Sequence, residues 1–342
     1  MVQFINLKEE QKMVSKVYSK WLLLAMLLAV MLGLVACGGA QPAAQPQADG
    51  APSGGKKITI KLVENPWSGS QVNVAVAKIL LEEQLGYPVE IVTLDENAQW
   101  PALAKGDLHA GLEVWLSGHA DNVKQYINEQ KSVENGGLLG PVGVIGWFMP
   151  SYLLKDHPEL ATWEGFKGAE IGKLFSTAET GDMGQFLAGD QSWVQYDAEI
   201  IKNLGLPFEV VTAGSEEAIL AALDSAYSRQ DPLLFYFWTP HSVHAQYELT
   251  QVELPPYSDE CYAKSESGGV DCSYPADELF KIFWSGLKDA APDAYQFLKN
   301  FNYSTKDQIS MMAAVELDGK TPAEAARIWV DGNKAVWEKW LP

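Results

Sequence analysis

Tryptophan is the side chain that this sequence places where chemistry would be done. Of the 12 tryptophans in 342 residues, several fall where a strand signal gives way to a turn. Trp67 follows the first strand. Trp115 ends Glu113-Val114-Trp115, Trp238 ends Phe235-Tyr236-Phe237-Trp238, and Trp193 lies in the loop Gly189-Asp190-Gln191-Ser192-Trp193. In α/β domains small ligands lie beyond the carboxyl ends of strands, so Trp115, Trp193 and Trp238 are candidate ligand contacts. Trp284, Trp329, Trp337 and Trp340 fall on amphipathic helical patterns and are assigned to the core. The chemistry is binding rather than turnover. There is no Gly-rich phosphate loop with a Lys-Ser/Thr end, no G-x-S-x-G elbow and no H-E-x-x-H. No nucleophile, base and oxyanion donor assemble, so no catalytic residue is expected. Glu179 and Asp182 have no partner signature and read as solvated surface. His241 and His244 stand three apart without a third ligand, so neither a metal nor a cofactor is expected. Met311-Met312 reads as core packing.

These tryptophans need strands to carry them and helices to brace the strands. Residues 57–63 alternate polar and apolar, a strand signal. Val72, Val76, Ile79 and Leu80 then recur at helical spacing up to a stop at Gly86. Strands are predicted at 89–94 and 111–116, with a short helix at 100–105 between them. This alternation argues an α/β domain with a largely parallel sheet. After the apolar run Gly140-Pro141-Val142-Gly143-Val144-Ile145-Gly146-Trp147 a second α/β set begins. It has a helix at 197–204, strands at 208–212 and 233–238, and a helix capped by Ser215 with Glu216 and Glu217 in its first turn. From Pro275 onward the pattern reads as helical. Thr321-Pro322-Ala323-Glu324 is a capping box with proline at the first helical position, and this closing segment is expected to pack back on the first domain.

Composition narrows the class. Hydrophobic residues make up 47% and charged residues 20%, a globular balance. The formal net charge of -19 repels nucleic acid and offers no basic patch to anionic lipid. Lys12, Lys16 and Lys20 precede a short apolar run ending Leu34-Val35-Ala36-Cys37-Gly38-Gly39. Residues 1–36 therefore read as a secretory signal peptide, with Met13 as a possible start. The run's end resembles the lipobox of bacterial lipoproteins, which makes Cys37 the lipidated residue, held by two acyl chains. Residues 37–56, rich in Gly, Pro, Ala and Gln, read as a flexible tether. Cys261 and Cys272 remain in an exported chain, joined by a polar, glycine-containing loop, and are expected to form a disulfide.

From Lys57 to the C-terminus the chain resembles the substrate-binding proteins of glycine betaine/choline/carnitine ABC importers. The likeness is most specific at Trp238-Thr239-Pro240-His241, similar to the family's W-x-P-H segment. It is also good at Trp115-Leu116 with Gly118-His119, and from Tyr257-Ser258-Asp259-Glu260-Cys261 onward. The resemblance implies an α/β, two-lobed, type II periplasmic-binding fold with hinge crossovers and a ligand cleft between lobes. On it, residues 57–147 and 252–342 form one lobe and 148–251 the other, with hinges near 146–150 and 246–254. It also implies that Trp115, Trp238 and Trp193 box a trimethylammonium head. Such a head carries charge but no N–H, and aromatic faces answer both properties. For the carboxylate of glycine betaine, the backbone amides of Ser68, Gly69 and Ser70, beside Trp67 at the start of a helix, suit an anion. His241 is a second candidate donor. The expected function is extracytoplasmic capture of glycine betaine or a related quaternary amine, without enzymatic activity. Choline, carnitine or proline betaine in the same role, or an exported sensor or enzyme, are the alternatives. The expected partners are an ABC permease with its ATPase, and the membrane through the lipid anchor alone. No nucleic acid is expected, and the protein is expected to be a monomer on the cell membrane facing the periplasm or the exterior.

Overall fold

Apolar periodicity switches between two and 3.6 residues along the chain, and strand and helix alternate with it. The structure, a computed structural model, describes residues 57–342. The expected signal peptide, the acylated Cys37 and the tether lie outside the described residues. β1 (Ile60–Glu64) leads through Trp67 into α1 (Ser68–Glu83), followed by β2 (Val89–Thr93), α2 (Gln99–Lys105), β3 (Ala110–Val114) and α3 (Leu116–Asn122). β2, β1 and β3 lie parallel, side by side. On α1, Val72, Val76 and Leu80 are fully buried, each contributing roughly 1.5–3 kcal/mol by leaving water.

The long strand β4 (Val133–Pro150) leads to the second set: β5 (Gly184–Ala188), α4 (Asp197–Leu204), β6 (Phe208–Thr212), α5 (Glu216–Arg229) and β7 (Leu234–Thr239). β6, β5 and β7 are again parallel. Ser215 caps α5 by accepting from the Ala218 amide at 3.2 Å, which holds the helix that carries Glu216. β8 (Leu249–Gln251) pairs with the end of β4, and β9 (Ala276–Trp284) fills the gap between β3 and β4. The nine described strands run β2-β1-β3-β9-β4-β7-β5-β6, with β8 beside β4.

Three expectations change. The sheet is parallel only on its flanks, because β3-β9, β9-β4 and β4-β7 are antiparallel. The stretch after Pro275 begins as a strand, not a helix. Leu279, Phe280, Phe283 and Trp284 are spaced as a helical stripe, but β9 is a central strand covered on both faces, so apolar residues occupy both of its sides. Trp284 therefore ends a strand beside His109, with ring centroids 5.7 Å apart, and is not on an amphipathic helix.

Third, the return to the first half comes later than residue 252. β4 changes partner from β9 to β7 at Val144. After β8, Glu253 exchanges backbone hydrogen bonds with Ala161 and Trp163. Asn203 on α4 donates to the carbonyls of Gly268 and Val270, and Tyr274 donates to Asp197 at 3.1 Å. Residues 252–274 thus pack on the second half, and the chain returns with β9.

The closing helices α6 (Pro292–Asn300), α7 (Thr305–Glu316) and α8 (Pro322–Gly332) cover the first half, with α7 and α8 against α1. Thr321 and Glu324 form the reciprocal capping box that starts α8. No described helix is long and apolar enough to cross a membrane.

Cys261 and Cys272, 11 residues apart, are bonded. Replacing both with serine is expected to lower stability in urea titration by no more than about 3 kcal/mol. Amide exchange should rise in residues 252–274 and stay unchanged in β1, β2 and β3.

Candidate functional site

Four indoles and a phenol meet where the two halves of the sheet face each other. Trp67 precedes α1 in an extended conformation and Trp115 does the same before α3. Both leave the carboxyl ends of first-half strands. Trp238 and Tyr236 stand two apart on β7 and so share one face of that strand. Trp193 comes from the loop between β5 and α4. Together they line a cavity open to solvent on one side, completed by Glu96, Ser117, Gly118, Ile145 and Val194. Trp193 stands nearly perpendicular to Trp67 (centroids 6.2 Å apart, planes at 87°) and to Trp238 (5.3 Å, 85°).

The first-half indoles are aimed by a buried carboxylate. Glu113 Oε1 accepts from Trp67 Nε1 at 2.8 Å and from Trp115 Nε1 at 3.0 Å. Its Oε2 accepts from Asn73 Nδ2 at 2.6 Å and from Gln308 Nε2 at 2.9 Å. Burial raises the Glu113 pKa, and the four donors oppose that rise. Two glycines make room for rings. A Cβ at Gly143 on β4 would lie 2.2 Å from Cζ3 of Trp115, and one at Gly189 would lie 2.3 Å from Cε3 of Trp193. Only glycine permits either approach.

The polar groups of the wall are mostly committed. Glu96 accepts from the Val194 amide at 2.6 Å and pairs with His119 at 3.2 Å. Asp277 accepts from the Ser117 amide at 2.8 Å and from its hydroxyl at 2.6 Å. Burial raises the Asp277 pKa, with the two Ser117 bonds opposing. The buried N–H of Trp193 finds no partner among the described residues. No lysine or arginine is among the described residues lining the cavity. Flat electron-rich faces backed by carboxylates favour a cation that brings no N–H of its own.

Of the residues proposed from sequence, Trp67, Trp115, Trp193 and Trp238 are brought together here. Ser68, Gly69, Ser70 and His241 are not among the residues lining the cavity, and Ser68, Ser70 and His241 have partners within the protein. The Ser68 amide donates to Glu216 Oε2 at 2.9 Å and its hydroxyl to Oε1 at 2.7 Å. Ser70 Oγ accepts from the Asn65 amide, and Gly69 lies against Glu113 and Gln308. His241 Nε2 faces Glu216 at 2.9 Å and Glu316 on α7 at 3.2 Å, while Ser242 donates to Glu316. His244 instead meets the Trp238 carbonyl at 3.0 Å. Glu216, His241 and Glu316 offer three ligand atoms within 4.8 Å of one another, a geometry that could also hold an ion.

Burial acts to lower the His241 pKa, but the two carboxylates raise it to about 9. The Val243 amide donates to Nδ1 at 3.1 Å, a bond that the imidazolium would give up. Two ion pairs in a low dielectric outweigh that single neutral contact, so we assign His241 as charged. For Glu316 burial raises the pKa, and hydrogen bonds from His241, Ser242 and Ser68 bring it below the ordinary value. These contacts join the halves, since Ser68 and Glu316 lie on one and Glu216 and His241 on the other.

Sequence reasoning missed Glu113, Gly143, Glu96 and Glu216. Tyr236 was recoverable, because it stands one period of the strand before Trp238.

With this geometry in place, similarity to known proteins is decisive. Residues 58–332 match the family described as "Substrate binding domain of ABC-type glycine betaine transport system". The chain belongs to that family. A curated relative, the trimethylamine N-oxide-binding protein of Pelagibacter ubique (strain HTCC1062), is 28% identical over 289 residues, covering 82% of this chain and 90% of the relative. Lactococcal OpuAC in its closed form with glycine betaine superposes with a TM-score of 0.65 at 22% identity, over 84% of this chain and all of that one. The glycine betaine/L-proline-binding protein ProX of Borrelia burgdorferi gives 0.68 at 19% identity, over 83% and 97%. Both solved structures share the fold of this substrate-binding domain.

Gly143→Ala is expected to displace Trp115 and weaken binding of glycine betaine-class amines about tenfold or more by calorimetry, since losing one desolvated indole contact is about 2 kcal/mol. Melting should show that the variant stays folded.

The His241 lock carries a pH signature. Its folded pKa stands above the unfolded value of 6.5, so its contribution is complete below 6.5 and is lost as pH rises through about 9. Glu316, lowered from 4.5, contributes above that value and loses its contribution as pH falls through its folded pKa. Urea midpoints should therefore decline between about pH 6.5 and about pH 9 in the native protein, and His241→Gln should flatten the decline.

Proposed function

We propose that this chain is the extracytoplasmic, lipid-anchored receptor of an ABC importer, and that its solute is a small trimethylated amine of the trimethylamine N-oxide type. The observation that carries this reading is a cavity walled by Trp67, Trp115, Trp193, Trp238 and Tyr236, with Glu96 in its lining and no lysine or arginine. A desolvated cation over an indole gains about 2 kcal/mol. Four such contacts would give about 8 kcal/mol if additive, the free energy of micromolar affinity. The head group alone can therefore supply the binding.

The other end of the solute decides among relatives. A carboxylate needs several donors, and the Ser117 and Val194 amides are already bonded to Asp277 and Glu96. The buried Trp193 N–H has no partner among the described residues, and one such donor suits one acceptor oxygen. The curated relative named for trimethylamine N-oxide, matched over 82% of this chain, supports the same choice. The segment Leu34-Val35-Ala36-Cys37 supports anchoring through an acylated Cys37, and the family supports an ABC permease with its ATPase as partner. The anchored end leaves residues 57–342 free to meet solute outside the membrane. Capture and delivery, with no chemical change to the solute, is the whole activity.

Calorimetry of residues 57–342 against trimethylamine N-oxide, choline, glycine betaine and carnitine tests the reading. Trimethylamine N-oxide should bind about tenfold or more tighter than glycine betaine, and Trp238→Ala should weaken it by about tenfold or more. Tightest binding of glycine betaine, or no response to any of the four, would overturn it.

A further inference from the structure

The N-terminus of α1 and His241 form a site suited to a carboxylate, and a carboxylate of the protein's own occupies it. Glu216 takes the Ser68 amide at 2.9 Å, the Ser68 hydroxyl at 2.7 Å and His241 Nε2 at 2.9 Å. α1 is 16 residues long and no acidic residue lies in its own first turn, so its N-terminal partial charge is met by a side chain from the opposite half. Glu216 is 2% exposed and His241 3%. The site adjoins the cavity through the chain itself: Trp67 precedes Ser68, and Trp238, three residues before His241, lies 5.5 Å from it between ring centroids.

We propose that Glu216 is the specificity-determining residue of the receptor: it fills the anion site between the halves from within and so rejects solutes that carry a carboxylate tail. This deepens the trimethylated-amine reading and rests on it. A tail carboxylate would have to displace Glu216 or stand beside it, and like charges in one dry pocket are strongly unfavourable. Glu216 also makes the bridge between halves that such a tail would otherwise make, since Ser68 lies on one half and His241 on the other. The solute is then left with only its head to contribute to closure.

Glu216→Ala is the test, read in two ways. In the first, melting temperature is followed with about 100 mM sodium acetate or with sodium chloride at the same concentration. Acetate should restore stability to the variant well beyond chloride and should do neither more nor less than chloride for the native protein. In the second, calorimetry compares glycine betaine with trimethylamine N-oxide, and their affinity ratio should move toward glycine betaine by about tenfold or more. Glu216→Gln, which keeps the shape but removes the like charge, should leave acetate no vacant site and should move the affinity ratio toward glycine betaine by less than Glu216→Ala does. If Glu216→Ala does not fold, Glu216→Ser prepared in acetate gives the same two readings. Equal response to acetate and chloride in the folded variant, or an unchanged affinity ratio, would overturn the proposal. Failure of the native protein to bind any trimethylated amine would remove the proposed solute, while the acetate arm would still report on Glu216.

Discussion

Glu113 is a carboxylate that no lysine or arginine pairs with among the described residues, and burying such a group is unfavourable by several kcal/mol unless its lone pairs are filled. Four N–H groups fill them, two from indoles and two from side-chain amides. Each partner comes from a different place: the entry to α1, the exit of β3, the body of α1 and, through Gln308, α7. The carboxylate therefore fixes two walls of the box and the packing of two helices at once. It also sets negative charge at the N–H edges of the two rings. A cation over their faces meets the ring quadrupole in the field of this charge, without the carboxylate having to enter the cavity and shed a hydration shell when solute arrives.

The sheet explains why the box has two sides. β4 pairs with β9 over its first part and with β7 and β8 over its last, so one continuous strand belongs to both halves. Trp67 and Trp115 stand on one half, Trp193, Tyr236 and Trp238 on the other. Such a box is complete only when the halves meet, and a cation gains its full aromatic contact only then. Polar contacts support the same arrangement: Val194 to Glu96, Asn97 to the Ser192 carbonyl, and Ser68 to Glu216.

Much of this was legible in the sequence because it is local. Ser215 and Thr321 announce their helices by the cap each side chain makes, and Trp115 and Trp238 announce a site by standing at strand ends. What was illegible depends on partners far along the chain. β9 reads as helix because a strand covered on both faces loses the alternation that marks strands. Residues 252–274 read as part of the first half because nothing in them states that Asn203 and Asp197 will take up their polar groups. Glu113 and Gly143 show no signal of their own, since one matters through Trp67, 46 residues away in sequence, and the other only as the absence of a Cβ under Trp115. His241 reads from sequence as a donor to a ligand's carboxylate, and in the structure its Nε2 faces a carboxylate of the protein itself. The carboxylate is Glu216, 25 residues before it, and spacing alone cannot tell a side chain's partner from a ligand's.

The charge arrangement also bears on which cations suit the cavity. A hydrated inorganic ion would have to trade water for indole faces, which offer no lone pairs, while Glu96 is already bonded to Val194 and His119. A primary or secondary amine would bring N–H groups into a cavity whose carboxylates are occupied, and each unpaired N–H would be penalised. Methylated nitrogen escapes both penalties because its hydration is weak and its surface is apolar. Selection is therefore made mostly by what the cavity withholds. Glu113 has its lone pairs filled by four donors and Glu96 already holds Val194 and His119, so these groups contribute more field than ligation, which favours a cation that needs no ligation.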